Sequence, residues 1–482
     1  MKSQISRREF MRLNAGLVAA GSALPFAGAT TLFAAVPGAP RAISASGTKA
    51  KLHPQLPAVD LWSFGGTVPG PLIRVKQGDE VNVRLSNRLS EGTSIHWHGI
   101  RVPNAMDGVP YLTQAPVQTG KSFDYRFRAD DAGTFLYHPH INSVEQVGRG
   151  MFGALVVDEI QPVPVDRDIV WALNDWRFRR DRQLEQVFND RHDMSHAGRY
   201  GNVITINGKA GVKLTGHPHE RIRLRLIGAA TGRIFALDFG ALKPWVIALD
   251  GQPVPPRQAR PDDLILGPGM RTDLIIDLPG SVGAKVAIVD RYFDERRYTL
   301  SEIIVDDQTP ARAKPLGKPQ AHKPNPIRPF ESAGAERLEV VFAGGAMGMM
   351  GGMGGMGMNR GSMMRMMRQG LFWIINGRII APLEAGVRTP PLFRLRHNRS
   401  YIVAMENRTV FDHPIHLHGH TFQVLARNGQ AVDGTVLRDT VFLRPRDKVE
   451  IGFAADNRGQ WMFHCHILSH QRSAMGAVLE VA

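Results

Sequence analysis

The sequence predicts an all-β protein of sandwich type, built from three consecutive units. Helical periodicity is scarce, whereas short alternating runs bounded by Gly, Pro, Asn or Asp recur, for example at 80–85, 221–226 and 448–453. Three segments, 78–87, 219–230 and 398–407, each read as a strand that enters a short polar turn, which indicates an internal repeat. A chain of 482 residues has room for about three domains of roughly 150 residues each.

The first 45 residues are predicted to be an export signal with a short extension. Arg7 and Arg8 precede a weakly apolar stretch over 13–33 that contains Gly and Ser, a pattern typical of a twin-arginine signal. We therefore expect the twin-arginine export machinery as a partner and the periplasm as the location. The chain has no uninterrupted apolar run long enough for a spanning helix, so no stable membrane anchor is expected.

Composition narrows the function classes. The formal net charge is +15, but Lys and Arg are spread along the chain without a compact basic run and interleaved aromatics, so nucleic acid is not an expected partner. A single cysteine, Cys465, excludes an intramolecular disulfide and a four-cysteine zinc site. We expect a monomer.

The repeat and the composition divide the rest of the chain. We predict a first domain over 46–160, a second over 165–308, a Pro/Lys-rich linker over 309–337 and a third domain over 338–482. The second domain is expected to hold no metal ligands. A segment rich in Met and Gly, 344–368, lies near the start of the third domain.

Ten of the eighteen histidines fall into four tight groups. The groups are His96 and His98; His138 and His140; His413, His416 and His418; and His464, His466 and His470. In an extended strand, residues i and i+2 point to the same face, so each His-x-His pair directs two imidazoles the same way. Four such pairs give eight converging imidazoles, enough for several metal ions, and imidazole-rich sites of this size suit copper.

The last group adds a thiolate. Strand alternation places His464 and His466 on one face and Cys465 on the other. One thiolate, two imidazoles and a weak thioether form an electron-transfer copper centre. Cys465, His413 and His470 can supply the first three ligands, and Met475 can supply the fourth.

These four motifs, in this chain order and together with the three-unit β repeat, resemble the multicopper oxidase family over essentially the whole mature chain. The resemblance implies three cupredoxin-like Greek-key domains and four copper ions. It implies one type 1, one type 2 and two type 3 coppers, with dioxygen reduced to water. The trinuclear site would then lie between the first and third domains.

The resemblance also assigns ligands by motif position. The type 1 copper is expected on His413, Cys465, His470 and axial Met475. The type 2 copper is expected on His96 and His416. One type 3 copper is expected on His98, His138 and His466, and the other on His140, His418 and His464.

Proton supply needs an acid near the cluster. Asp107, in an Asp-Gly pair eleven residues after His96, matches the acid that the family places there. Many bacterial relatives have an acid directly after the second type 1 histidine, whereas this chain has Gln471. Either Asp107 acts with ordered water, or another acid such as Glu145 contributes.

The methionine-rich segment predicts the substrate. Thioethers are soft ligands that select Cu(I), so a flexible cover rich in methionine would gather cuprous ions near the type 1 site. The expected contacts are Met347, Met349, Met350, Met353, Met356, Met358, Met363, Met364, Met366 and Met367. This is similar to bacterial copper efflux oxidases, except that Thr409 and Phe411 stand where those enzymes have an acid and a methionine. Asp412 could substitute or could be structural.

Two other classes stay open. One is a laccase-like oxidase of phenols or other organic or metal reductants, for which the segment merely covers the entrance. The other is a protein without oxidase activity, either a copper-storing chaperone or a scaffold that has lost copper.

The remaining histidines are expected to have structural roles. In the first repeat, Pro139 and Val144 stand where Cys465 and His470 stand in the third, so only one type 1 centre is expected. His217 and His219 are interpreted as a loop, and His420 as a core or supporting residue. We treat the others as isolated: His53, His192, His196, His322 and His397.

Overall fold

Three β-sandwiches follow one another along the chain. The computed structural model describes residues 40–306, 309–346, 366–380 and 382–482. The first sandwich contains β1 (Arg41–Ala50), β2 (Val59–Phe64), β3 (Ile73–Lys76), β4 (Glu80–Asn87), β5 (His96–His98), β6 (Ser122–Arg128), β7 (Gly133–His138) and β8 (Gly153–Asp158). Its sheets have the orders β2-β1-β4-β6 and β3-β8-β7-β5.

The second sandwich has eleven strands in two sheets. Its strands are β9 (Arg167–Trp176), β10 (Val203–Ile206), β11 (Lys213–Gly216), β12 (Arg221–Gly228), β13 (Phe235–Asp238), β14 (Trp245–Leu249), β15 (Gln252–Gln258), β16 (Ile265–Leu266), β17 (Arg271–Asp277), β18 (Lys285–Asp290) and β19 (Tyr298–Val305). The sheets have the orders β10-β9-β12-β17-β14-β15 and β11-β19-β18-β13-β16.

The third sandwich spans the C-terminal part of the chain. Its strands are β20 (Glu336–Gly344), β21 (Trp373–Ile375), β22 (Phe393–Leu395), β23 (Ser400–Asn407), β24 (His413–Leu417), β25 (Phe422–Arg427), β26 (Gln430–Ala431), β27 (Leu437–Arg438), β28 (Thr440–Leu443), β29 (Lys448–Ala454), β30 (Gly459–Cys465) and β31 (Gly476–Val481). One sheet has the order β21-β20-β23-β29-β25-β26, with β27 beside β25, and the other is β22-β31-β30-β24-β28.

The internal repeat appears as a repeated strand pairing. In each sandwich the first strand pairs in parallel with a later strand, and that later strand pairs antiparallel with a third. The three sets are β1, β4 and β6; β9, β12 and β17; and β20, β23 and β29. The opposite sheet of each sandwich contains one further parallel pair: β3 with β8, β11 with β19, and β22 with β31. The predicted all-β class with three cupredoxin-type sandwiches is confirmed.

Alternation places the cores as the sequence indicates. In β4, Val81, Val83 and Leu85 are buried while the residues between them are half-buried or exposed. These three side chains belong to the apolar core of the first sandwich, and the other two sandwiches have separate large cores.

Short helices from different sandwiches pack against one another. They include α1 (Ser143–Gly148), α2 (Arg191–Ser195) and α3 (Leu468–Arg472). Helix α3 of the third sandwich packs against both α1 of the first and α2 of the second. Helix α2 begins at an Asp190 side chain that accepts from the backbone N–H groups of His192 and Asp193, a favourable N-cap.

The segment between the second and third sandwiches also connects domains. Asn325 accepts from the Ala132 backbone N–H at 2.8 Å and donates to the Ala132 carbonyl at 2.9 Å and to Gln252 Oε1 at 3.0 Å. One side chain thus ties the start of β7 to β15. Within the described ranges, no helix has both the length and the apolar character that crossing a bilayer requires.

Candidate metal centre

Four histidine motifs meet where the first and third sandwiches face each other. In the first sandwich, β5 pairs with β7 so that His96 lies opposite His138. In the third, β24 pairs with β30 so that His416 lies opposite His464 and Ile415 lies opposite Cys465. The pleat therefore separates two groups of donors across β30. We call His413, Cys465 and His470 the Cys465 group.

The Cys465 group is compact and buried. Cys465 Sγ lies 3.6 Å from His413 Nδ1 and 3.7 Å from His470 Nδ1, and the two ring nitrogens lie 3.2 Å apart. Met475 is fully buried in the same core, and its carbonyl accepts from the Cys465 backbone N–H at 3.0 Å. Burial raises the pKa of the Cys465 thiol.

Each imidazole of the Cys465 group is oriented by a hydrogen bond at its Nε2 atom. His413 Nε2 lies 2.7 Å from Thr409 Oγ1, whose own hydrogen is directed to Asn407 Oδ1 at 2.8 Å, so the threonine oxygen accepts. His470 Nε2 donates to the His196 carbonyl at 2.6 Å. With both Nε2 atoms protonated, both Nδ1 atoms present a lone pair toward the sulfur.

The second group contains eight imidazoles, and we call it the eight-histidine cluster. Its members are His96, His98, His138, His140, His416, His418, His464 and His466. Ligand nitrogens of His98, His138 and His466 lie within 4.8 Å of one another, as do those of His140, His418 and His464 and those of His96, His98 and His416. The structure thus brings together the two triads and the pair that the resemblance assigns to the type 3 and type 2 coppers.

Hydrogen bonds to backbone carbonyls fix which nitrogen points inward in four of these rings. The Nδ1 atoms of His96 and His416 donate to the carbonyls of Asp107 and Asp439 at 2.8 and 2.9 Å. Those of His138 and His464 donate to the carbonyls of Pro139 and Cys465 at 3.0 and 2.9 Å. An imidazole whose Nδ1 donates to a carbonyl keeps its lone pair on Nε2, the form that binds a metal.

Burial favours the neutral form of His138, His140, His418, His464, His466 and His470. Removal from water lowers the pKa of His138 to about 3 and that of His470 to about 3. Burial, followed by repulsion from neighbouring imidazoles, also holds the pKa of His140, His418, His464 and His466 well below the usual range. Neutral imidazoles with inward lone pairs are what a transition metal requires.

Asp107 lies at the edge of the cluster. Its carboxylate oxygens are 3.0 and 3.1 Å from His418 Nδ1, and Oδ1 is 3.2 Å from His96 Nδ1. A short 3-10 turn, Asn104–Met106, presents it, and the next residue, Gly108, has φ +79° with its Cα against the Ile95 carbonyl. A side chain at Gly108 would collide with that carbonyl, so the Asp-Gly pair is required for the position of the acid.

A second carboxylate, Asp439, was missed by the sequence reasoning. Its Oδ1 lies 3.3 Å from His98 Nε2 and 3.4 Å from His416 Nδ1, so it contacts one histidine from each sandwich. Burial raises the pKa of Asp439, but the charge of Arg271 and hydrogen bonds from His416 and His98 outweigh burial and hold it well below its usual range. The one feature of the sequence that could have indicated this role is the position of Asp439 directly before the apolar strand β28.

The second sandwich reaches both donor groups although it supplies none of their ligand atoms in the described chain. Arg271 donates to Asp439, and Gly269, at φ +81°, lies so close to the His98 and His466 rings that a Cβ there would come within 2.7 to 3.0 Å of them. Helix α2 reaches the surroundings of the Cys465 group, because the Met194 carbonyl accepts from Trp373 Nε1 and from Ser473 Oγ. The carbonyl of His196, directly after α2, contacts the group itself through His470 Nε2.

The treatment of His192 and His196 as isolated was wrong. One helical turn stacks their rings with centroids 3.9 Å apart and an interplanar angle of 8°. Residues i and i+4 share a helix face, a relation that the sequence reasoning overlooked. The remaining histidines agree with structural roles: His420 packs edge-on against Phe453 and Trp461, and His217 and His219 lie in the turn between β11 and β12.

The methionine-rich segment is described only at its ends. Met347, Met349, Met350, Met353, Met356, Met358, Met363 and Met364 lie outside the described residues. Met366 is 1% exposed inside the third core, whereas Met367 is 36% exposed. Core packing thus accounts for Met366 without a ligand role. Asp412 accepts a short hydrogen bond from Tyr292 of the second sandwich.

A cleft of about 120 Å³ reaches the eight-histidine cluster at His140. Gln471 lies on its wall and accepts from Ser143 Oγ at 3.1 Å. Glu145, the alternative acid, pairs with Arg149 at 2.8 Å. Its charge is therefore balanced by an arginine on the same helix.

The donor sets fit copper. His96 Nε2, His416 Nε2 and His98 Nδ1 are buried without a hydrogen-bond partner, which is costly unless a ligand occupies the space between them. A cysteine with two imidazoles and a nearby thioether residue matches an electron-transfer copper site, and the imidazole-rich cluster suits copper as well.

Comparison with known proteins agrees with this chemistry. Family models described as multicopper oxidase match residues 48–162, 167–293 and 362–482. The chain is 30% identical to the multicopper oxidase MmcO of Mycobacterium tuberculosis, over 99% of this chain and 97% of that protein. It is also 30% identical to Laccase-1 of Botryotinia fuckeliana, over 85% of this chain and 76% of the relative.

Solved structures show the same fold. The crystal structure of a multicopper oxidase from Pseudomonas thermotolerans superimposes with a TM-score of 0.79 at 30% identity, covering 92% of this chain and 99% of that one.

Proposed function

The chain belongs to the multicopper oxidase family, and from this premise we propose that it couples one-electron oxidation of cuprous ion to the four-electron reduction of dioxygen to water. The cofactors would be four copper ions. The type 1 ion would be held by the Cys465 group with Met475 nearby. The type 2 ion would be held by His96 and His416, and the type 3 pair by the two histidine triads described above.

Copper bound at these positions would supply one-electron redox chemistry and a place for dioxygen to bind. The chain would supply the path between the donor groups. Cys465 lies between His464 and His466 in sequence, so an electron that reaches the sulfur crosses only one residue of backbone to either imidazole of the cluster. Hydrogen bonds from all three sandwiches orient these groups, which would limit their reorganisation on electron transfer.

Protons would be supplied through Asp107. Its carboxylate is buried, with 1% exposure, and contacts His418 and His96. A positioned acid at hydrogen-bond distance from the reaction site contributes to proton transfer. In this proposal Asp107 delivers protons that arrive by water through the cleft at His140, and Gln471 at its wall serves as a hydrogen-bonding side chain.

One observation supports cuprous ion as the substrate: one described end of the methionine-rich segment lies beside the Cys465 group, and the other is bonded to helix α2. At one end, a Cβ on Gly345 would come within 3.0 Å of the Trp373 and Phe411 rings, and Trp373 packs on His470 with centroids 4.3 Å apart. At the other end, Arg191 of α2 donates to the carbonyls of Met367 and Arg368. The eight thioethers that lie between these ends in the sequence would supply soft ligands for Cu(I).

The test replaces Met347, Met349, Met350, Met353, Met356, Met358, Met363 and Met364 by leucine. This variant keeps the segment length, the close packing at Gly345 and the buried Met366. Cuprous oxidation, followed by oxygen uptake, should fall at low substrate concentration, while oxidation of a phenol by the same preparation should be unchanged or faster. Unchanged cuprous oxidation would contradict the proposed role of the segment.

The alternative substrate class is phenols, as the similarity to a fungal laccase suggests. In that case the same variant would leave both cuprous and phenol oxidation unchanged, because leucine keeps the bulk of the segment and no substrate-binding site would have been lost. Blue absorption in the copper-loaded protein would oppose both non-enzymatic alternatives, storage chaperone and copper-free scaffold.

We further propose that the enzyme acts in the periplasm as a monomer after twin-arginine export. The Arg7 and Arg8 pair near the N-terminus supports this route. An Arg7→Lys/Arg8→Lys variant should accumulate in the cytoplasmic fraction, whereas the wild-type protein should be recovered from the periplasm. Recovery of both proteins from the periplasm would exclude the route.

A further inference from the structure

We propose that His192, on helix α2 of the second sandwich, and His196, directly after that helix, form the site at which an incoming cuprous ion binds before it gives up its electron. This inference rests on the proposed function and identifies the residue pair that would bind its substrate. The sandwich that holds no ligand of the two donor groups would then hold the substrate.

The pair has the exposure that a substrate site needs. His192 is exposed and His196 is half-buried, and their rings stack 3.9 Å apart at the C-terminal end of α2. Two imidazoles four residues apart can bind one metal ion together. Each lone pair lies in the plane of its own ring, so the exposed His192 ring would rotate out of the stack when the ion binds. Donors on one side of the ion leave its other coordination positions open to thioethers, which also prefer Cu(I).

The tautomer of His196 suits a ligand. Its Nδ1 lies 3.0 Å from the His192 carbonyl and 3.0 Å from Ser195 Oγ, while the Ser195 hydroxyl donates to the Arg191 carbonyl at 2.8 Å. Both oxygens near Nδ1 therefore accept, so Nδ1 carries the hydrogen. The lone pair is left on Nε2, the arrangement found behind most metal-binding histidines.

His196 is also joined directly to the Cys465 group. Its backbone carbonyl accepts from His470 Nε2 at 2.6 Å, and His470 Nδ1 faces Cys465 Sγ. A second connection runs through aromatic rings: His196 to Phe411 at 6.0 Å, Phe411 to Trp373 at 5.8 Å and Trp373 to His470 at 4.3 Å between centroids. An ion bound at His196 would thus be separated from His470 by one residue and one hydrogen bond.

The methionine-rich segment returns to the fold beside this pair. Arg191 directly precedes His192 and donates to the Arg368 carbonyl at 2.8 Å and to the Met367 carbonyl. A cuprous ion collected by the segment would meet the two imidazoles at its end. Each ion would lose one electron and leave as cupric ion, and four such oxidations with four protons would reduce one dioxygen to two waters.

The test uses the copper-loaded enzyme with a His192→Asn/His196→Asn variant. Steady-state oxygen uptake with Cu(I) should show KM raised by at least about ten-fold, since removal of ligands weakens metal binding by this order. The kinetics with a phenol and the blue absorption band should stay unchanged, which would show an intact Cys465 group. A His217→Asn/His219→Asn variant, at the other histidine pair of the same sandwich, is the matched control and should behave as wild type.

Silver ion, a redox-inert soft monovalent cation, gives a readout that does not depend on turnover. Equilibrium dialysis should show one Ag(I) fewer per holoenzyme in the His192→Asn/His196→Asn variant than in the wild type and the control. Equal silver binding together with an unchanged KM for Cu(I) would overturn the site. If the wild type oxidises phenols but not Cu(I), the proposed function fails, and silver dialysis then decides by itself whether the pair binds metal.

Discussion

Arg271 and Asp439 form a bidentate pair behind the eight-histidine cluster. The two terminal guanidinium nitrogens lie 2.8 and 2.6 Å from the two carboxylate oxygens, and the side chains are 0% and 2% exposed. Arg271 also donates to the Thr134 carbonyl of the first sandwich at 3.0 Å. A single arginine of the second sandwich thus joins all three, and through Asp439 it fixes His98 and His416.

The first prediction concerns this pair. Arg271→Met should lower the free energy of unfolding by about 3–5 kcal/mol, because it leaves a buried carboxylate unpaired. It should also reduce the copper retained at His96 and His416, measured as copper per protein and by the type 2 signal in electron paramagnetic resonance. Arg291→Met removes a half-exposed partner of Asp238 and should cost at most about 1 kcal/mol. Equal effects of the two variants would refute a special role for Arg271.

The alternation of residues along strands predicts much of this fold and of its donor groups. The runs at 80–85, 221–226 and 448–453 lie in β4, β12 and β29. The i and i+2 relation also accounts for the position of His464 and His466 in the cluster while Cys465 faces His413 and His470. These features depend on local backbone geometry, which short sequence windows contain.

Contacts between sandwiches were beyond the reach of that reasoning. Arg271 and Asp439 are 168 residues apart in sequence, and the His196 carbonyl and His470 are 274 apart. Such pairs result from how whole sandwiches pack against each other. In addition, every residue has a backbone carbonyl, so the residue type does not indicate that the His196 carbonyl is an acceptor. The role of Thr409 could not be predicted for a similar reason. Its hydroxyl contacts His413 across a turn, and a turn has no sequence periodicity that would indicate the contact.

The second prediction concerns Asp107. Asp107→Asn keeps the shape of the side chain and an oxygen for His418 Nδ1 but removes the ionisable group. Steady-state turnover should fall by about a hundred-fold or more, the lower range for loss of a positioned acid. Anaerobic reduction of the blue band in a stopped-flow instrument should be unaffected, whereas its reoxidation by dioxygen should slow. Unchanged turnover with full copper loading would remove Asp107 from proton delivery.

The third prediction concerns Thr409, which orients His413. Thr409→Val keeps the volume but leaves the His413 Nε2–H without an acceptor, so the Cys465 group should lose copper more readily. We expect the affinity of the Cys465 group for copper to fall by about 10- to 100-fold, measured by competition with a chelator and monitored by the blue band. Thr409→Ser retains the oxygen and should resemble the wild type. A serine variant as weak as the valine variant would point to packing rather than to the hydrogen bond.

The fourth prediction concerns Cys465. Cys465→Ser should abolish the blue band and oxygen uptake with every reductant, because a hydroxyl does not replace a thiolate ligand. The circular dichroism spectrum should remain that of the wild type, since serine fits the same space and buries only one extra polar group, at a cost of about 1–3 kcal/mol. Residual uptake with any reductant would mean that electrons enter elsewhere.

The fifth prediction concerns an ion pair between the first two sandwiches. Glu159, just after β8, accepts from Arg223 of β12 at 2.8 and 3.0 Å, and His322 Nδ1 lies 3.4 Å from its Oε1. Burial opposes the charge on Glu159, but the hydrogen bonds and charge of Arg223 outweigh it and lower the pKa of Glu159 to about 2, from 4.5 in water.

A carboxyl whose pKa is lower in the folded state stabilises the fold above its unfolded pKa, and this stabilisation is lost as the pH falls toward the folded pKa. Glu159→Gln should therefore lower the free energy of unfolding by about 2–3 kcal/mol at pH 7. The difference from the wild type should shrink between pH 4.5 and 2. Urea unfolding of both proteins, in the same metal-loading state, measures it. Glu331→Gln, at an exposed position, should change stability by less than about 0.5 kcal/mol at any pH. A pH-independent deficit in the Glu159 variant would mean that packing, and not the charge, is responsible.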